Sequence, residues 1–220
     1  FDLAPRVAEW GLPVWPVVPV GYSLPDLKTG VAATVWPPGH SALLAIGYVL
    51  AGETGLYVLT PILGLVTLVA MGWLCLEVLH AWPNHQRFLA AGTAVFVLAT
   101  SRQQIERLVV PMADVPSQLF TILTIYFALR ARRGPLPWFA CLSGLCLGAA
   151  FAIRYTQVLL IFSVFLGFLL CCQDRPRPWR ALILAMVCLG ATAWLIALPV
   201  LWYHQIAFGN PFSVGSAELK

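Results

Sequence analysis

Charge is what this chain of 220 residues has least of. Only 10% of its residues are Asp, Glu, Lys or Arg while 60% are hydrophobic, against about 25% charged in soluble domains. A water-soluble globular domain is excluded. The six cysteines form no CxxC pair and have no histidine at zinc spacing, so they read as small apolar residues rather than a metal site. The basic residues are dispersed instead of forming a stripe with interleaved aromatics, which argues against a nucleic-acid partner. No nucleotide-binding motif occurs. The chain starts at Phe1 without a basic leader or cleavage site and stops after a polar stretch at Lys220; it reads as the N-terminal fragment of something longer.

What is present is a series of apolar runs, with a mean hydropathy of +0.84, and the bilayer is the solvent such runs require. The fold class is all-α: a polytopic transmembrane bundle of about six spanning helices plus interfacial helices. The spans are expected at roughly Leu56–Leu79, Phe88–Ser101, Val115–Leu129, Leu136–Ile153, Tyr155–Cys172 and Ala181–Tyr203. A shorter run, Ser41–Ala51, follows Pro37-Pro38-Gly39 and reads as a helix lying at the interface or dipping into it. Residues 1–55 then form a first external loop with interfacial helices, 56–203 the six spans and 204–220 the start of another external loop, all within one transmembrane domain.

The three loops near 82–87, 130–135 and 173–180 hold seven of the thirteen basic residues. The positive-inside rule makes them cytoplasmic. Asp2, Glu9, Asp26, Glu53, Glu106, Asp114 and Glu218 then all fall on the external side, where the long segments also lie. Recognition or chemistry belongs on that face.

Several residues there invite a role, each beside a simpler reading. Residues 1–39 mix Asp2, Glu9 and Asp26 with Trp10, Trp15, Tyr22 and Trp36; an aromatic belt accounts for them, as does a carboxylate general base beside a headgroup. His40 follows the Pro-Pro-Gly turn as a structural histidine or a donor to a phosphate or sugar hydroxyl. Arg102 and Glu106 stand i, i+4, the spacing of a surface ion pair. Asp114 opens a spanning helix, where N-capping and a catalytic or substrate role are both open. Arg154 sits between two apolar runs, either snorkelling to bulk headgroups or meeting a lipid phosphate.

In order along the chain, Trp36-Pro37-Pro38-Gly39-His40, Thr60-Pro61-Ile62-Leu63-Gly64, the Arg107–Asp114 loop, the Gly-rich span from Gly144 to Arg154 and Phe208-Gly209-Asn210-Pro211-Phe212 together resemble the GT-C superfamily of integral-membrane glycosyltransferases. They are most similar to bacterial relatives of the dolichyl-phosphate-mannose protein mannosyltransferases and the aminoarabinose transferases of lipid A (glycosyltransferase family 39).

The resemblance implies a polyprenyl-phosphate sugar donor, a protein, lipid or glycan acceptor outside the cytoplasm, a multi-pass protein of a bacterial inner or plasma membrane surrounded by membrane lipids, and inverting displacement with a carboxylate base. It points to Asp2 and Asp114 as catalytic, with Asp2, Glu9 or a residue upstream of Phe1 as base and Asp114 as acceptor or geometry partner. Glu9, His40, Arg102, Arg107 and Arg154 are the substrate-binding candidates. No residue is assigned to a metal, and no cofactor beyond an optional divalent ion is implied, since relatives differ in using one. The alternative from another class is a membrane transporter or lipid flippase, against which stand the lack of an inverted repeat and charges placed at the boundary rather than at mid-membrane.

Overall fold

A computed structural model describes residues 36–110, 112–173 and 175–211, with the backbone of Tyr22–Ser23 and Ala33–Thr34. Asp2, Glu9 and Asp26 lie outside the described residues. The chain divides into two units, Gly39–Ala197 and a smaller one comprising Phe1–Pro38 and Leu198–Lys220.

In the smaller unit, β1 (Tyr22–Ser23) and β2 (Ala33–Thr34) pair antiparallel, Tyr22 opposite Thr34. It also holds the last turns of the C-terminal helix, where Tyr203, buried His204 and Phe208 meet edge to face. That helix stops at Gly209, whose φ of 70° suits a residue without Cβ and lets its N–H reach the Gln205 carbonyl at 3.1 Å.

The regular elements among the described residues of the larger unit are all helical. Its elements are α1 (Gly39–Val78), α2 (Asn84–Thr100), α3 (Arg102–Val109), α4 (Asp114–Arg130), α5 (Leu136–Ile153), a 3-10 turn (Tyr155–Leu159), α6 (Leu160–Gln173) and the start of α7 (Pro178–Phe208). α1 is two arms, broken at Ala51 and Gly52, where Gly52 takes φ 60°, ψ −146°, a region essentially reserved for glycine. The arms fold against each other through Gly47 and Gly55, since a Cβ on Gly47 would lie 2.7 Å from the Gly55 carbonyl oxygen. The short apolar helix and the first span expected from the sequence are these two arms.

Six apolar helices occupy the six expected runs. Four stretches, Gly39–Val78, Leu136–Ile153, Tyr155–Gln173 and Pro178–Phe208, are long and apolar enough to cross a membrane. α2 and α4 have 17 residues each, about 26 Å at 1.5 Å per residue, a little short of the roughly 30 Å hydrocarbon core. The segment expected as a polar loop from Ser101 to Asp114 contains a helix instead, α3, because Ser101 caps it by accepting the Gln104 N–H at 3.3 Å.

The bundle packs as membrane helices do, through small residues and side chain to backbone bonds. Ala140, Gly144, Gly148 and Ala152 recur every fourth residue on α5, and a Cβ on Gly148 would sit 2.7 Å from the Ala193 carbonyl oxygen of α7. Thr192 Oγ donates to the Cys141 carbonyl at 3.0 Å, and Ser143 Oγ to the Thr124 carbonyl at 2.9 Å. Leu136, Leu147, Val164, Phe168, Leu182 and Leu189 fill the core among α4, α5, α6 and α7. Leu50, Leu89, Phe162 and Ile183 are more than 60% exposed, an outer surface suited to lipid and not to water. α3 is seated on α1 by a notch at Gly64, into which the Leu108 side chain fits.

Candidate active site

At one end of this bundle three breaks in the helices converge. The turn between α2 and α3, the start of α4 and the junction of α5 with the 3-10 turn surround a cleft of about 330 Å³. Apart from Leu98 and Ser101, the side chains that line it divide into two groups.

The charged group is Asp114, Arg107 and Arg154. Asp114 stands in the first turn of α4, where a carboxylate is favoured by the positive end of the helix dipole. It is not the N-cap. That position is Ala113, which makes no side-chain capping bond, while the Asp114 carboxylate turns to Arg154 Nη1 at 2.6 Å and Arg107 Nη1 at 3.4 Å. Arg154 is the residue where α5 ends. Its backbone is extended, φ −146°, ψ 116°, and its N–H returns to the Ala150 carbonyl at 2.8 Å. The chain therefore leaves the helix axis at this residue, and the guanidinium is aimed across to α4. Asp114 is mostly buried, 14% exposed, whereas both guanidiniums are more than 40% exposed: the anion anchors two cations that still face the opening.

The neutral group is built on Ser117, Gln118, Thr121 and Gln157, with Gln103 and Gln104 from α3. Gln157 Nε2 donates to Ser117 Oγ at 3.0 Å and Thr121 Oγ donates to Gln157 Oε1 at 3.1 Å, so this amide is fixed at both ends. No reading of the sequence singled these residues out. A signal was there: Asp114, Ser117, Gln118 and Thr121 recur at i, i+3, i+4 and i+7, a polar stripe on one face of an otherwise apolar helix.

The remaining candidates fall elsewhere. Arg102 pairs with Glu106 at 2.6 Å, with 90% and 58% of their side chains exposed, so it is a surface ion pair and does not line the cleft. His40 is half-buried in the first turn of α1. Its neighbour Gly39 packs against Ala152, a Cβ there meeting the Ala152 carbonyl oxygen at 2.5 Å. The histidine turn is thus beside the end of α5 but is not part of the lining. Among the described residues no three His, Cys, Asp or Glu side chains come together as a metal site.

The model of one family, dolichyl-phosphate-mannose-protein mannosyltransferase, matches residues 35–203, about three quarters of the chain and the whole of the cleft. The chain belongs to that family. Neither a curated protein nor a solved structure matches it significantly. As a member of the mannosyltransferase family it is a membrane glycosyltransferase of the GT-C type, and the transporter alternative falls. The mannosyltransferase match begins at Val35, after both Asp2 and Glu9.

Proposed function

We propose that the cleft holds the phosphate of a polyprenyl-phosphate-linked sugar, and that the protein transfers this sugar to an acceptor on the external face of the membrane. The observation that carries the reading is the Asp114 carboxylate shared by Arg154 and Arg107 at the mouth of a polar cleft. One anion and two permanent cations leave a formal charge of +1, which matches a singly charged phosphodiester.

The same arithmetic gives catalysis. As the glycosidic carbon–oxygen bond breaks, the phosphodiester becomes a phosphomonoester and gains negative charge. A preorganised cationic cluster therefore binds the transition state better than the donor, the condition for acceleration. Asp114 is assigned as the residue that holds the two guanidiniums in place, and Arg154 and Arg107 as the phosphate contacts. Arginine suits this task through its paired N–H donors. A carboxylate that precedes the matched region, Asp2, Glu9 or a residue upstream of Phe1, is assigned as the base that takes the acceptor proton. The basic loops at the opposite end of the bundle support an external orientation of the cleft.

The test is transfer of labelled sugar from a polyprenyl-phosphate donor by the complete enzyme in membranes. Arg154→Ala and Asp114→Asn are each expected to lower kcat/KM by at least about 100-fold, roughly 2.7 kcal/mol of transition-state stabilisation. Wild-type rates in both variants would sink the assignment.

A further inference from the structure

The charged half of the cleft accounts for a phosphate and leaves the neutral half without a task. Gln104 is its most demanding member. It is only 5% exposed, it lines the cleft, and its buried Nε2 has no hydrogen-bond partner among the described residues. A buried amide donor left unpaired carries a desolvation cost that folding alone does not offset, and such exceptions call for a reason. Its placement is not slack: the Ser101 hydroxyl caps its backbone N–H and Leu108 in the Gly64 notch seats the same short helix on α1.

Gln157 presents a second amide to the same space, held by Ser117 and Thr121. A primary amide has two N–H donors and two acceptor lone pairs, so these two bonds together leave one donor and one acceptor of Gln157 able to serve a ligand. Two amides of this kind match hydroxyl groups, which both donate and accept. They do not match a charged substituent. Among the described lining residues Asp114 is the one carboxylate, and it is committed to Arg154 and Arg107, so an ammonium placed against these amides finds no free anion beside them.

We infer that Gln104, with Gln157 lining the same cleft, is the specificity-determining wall for the transferred sugar, and that the wall selects a sugar bearing only hydroxyl substituents over one bearing an amino group. This rests on the phosphate reading above and adds to it which lipid-linked sugars are accepted. A site built to bond a hydroxyl discriminates more sharply than an apolar pocket, because the wrong ligand leaves its polar groups unpaired.

The experiment uses the complete enzyme in lipid nanodiscs with synthetic donors on one polyprenyl phosphate: a set of neutral hexoses (mannose, glucose, galactose) and a 4-amino-4-deoxypentose. The wild type is expected to use at least one hexose donor with kcat/KM at least tenfold above the amino donor. Gln104→Leu is expected to raise KM for that hexose donor about tenfold with kcat within about threefold. It should leave the thermal midpoint of the ligand-free enzyme equal or higher, because it removes an unpaired donor. A merely structural glutamine would behave oppositely, losing stability on substitution while KM holds. That result, equal or better use of the amino donor, or use of no donor in the set, overturns the inference. Arg154→Ala separates the two proposals. If it transfers normally the phosphate reading fails; if it is inactive while Gln104→Leu keeps the wild-type KM, the sugar wall alone fails.

Discussion

The two ends of the bundle carry the same charge motif, one carboxylate between two arginines, and differ in what surrounds it. At the end where α1 and α4 finish, Glu77 accepts from Arg130 Nη1 at 3.0 Å and from Arg133 Nε at 3.1 Å. Close by, Arg175 Nη2 donates to the Ala131 and Gly134 carbonyls at 2.8 and 3.2 Å, satisfying backbone acceptors that the end of α4 leaves open. There the charges tie helix ends together. At the other end Asp114 gathers Arg107 and Arg154 beside a polar cleft with an unpaired amide. Counting charges does not tell the two clusters apart; what marks the Asp114 cluster as the candidate site is the polar cleft beside it and the amide donor left over within that cleft.

The sharpest break of this comparison is to truncate one arginine at each end. Arg154→Ala should abolish most transfer, by at least about 100-fold in kcat/KM, with little change in thermal midpoint. Arg130→Ala should keep kcat/KM within about threefold per folded molecule, because Glu77 retains Arg133. Equal losses of transfer at the two ends would erase the distinction.

Next in size is Glu77→Ala. Removing the shared carboxylate leaves two guanidiniums facing each other at a helix end. The expected cost is about 2 kcal/mol, below the roughly 3–5 of a fully buried pair because both arginines are more than a third exposed. A thermal midpoint lowered by about 4–8 °C in detergent, with transfer by the surviving fold intact, checks it. Lost transfer with an unchanged midpoint would mean that this end too is a site.

Between the two ends, Gly144→Ala tests whether α5 holds Arg154 in register. A Cβ at Gly144 would lie 2.9 Å from the Leu189 Cα, against the backbone of α7, so about 1–2 kcal/mol of overpacking is expected. Thermal unfolding measures that cost. Part of the loss should appear as reduced transfer, since α5 ends at the proposed phosphate contact. The smallest effect belongs to Arg102→Ala. Its exposed i, i+4 partner is worth no more than about 0.5 kcal/mol, and transfer within twofold of wild type is expected. A tenfold loss would return Arg102 to the site.

Much of the fold was legible in the sequence because lipid demands long apolar runs. Each run that reads as a span is a helix, and even the break before Glu53 follows from a glycine. The Ser101–Asp114 segment reads as loop because α3 is only eight residues long, too short for the apolar spacing of Ile105, Leu108 and Val109 to stand out among its charges. Asp114 and Arg154 stood out as charges at the ends of apolar runs, and Arg102 with Glu106 as an ion pair by spacing. That Arg154 is Asp114's partner, 40 positions away in the chain, was not legible, because pairing depends on which helix ends meet. Gln104, Ser117, Thr121 and Gln157 escaped for a plainer reason: neutral polar residues are scattered through membrane helices, and only enclosure gives a few of them weight.

By itself the sequence determined that this is a helical membrane protein, roughly where its apolar helices lie, and which family it resembles, since hydropathy and turn chemistry act over a few residues at a time. The tertiary structure alone decided which carboxylate holds which arginines, that the Asp114 cluster opens on a cleft, and which glutamine is left there with a donor to offer. Those are properties of distance and solvent exclusion, which arise when helices remote in sequence pack against each other.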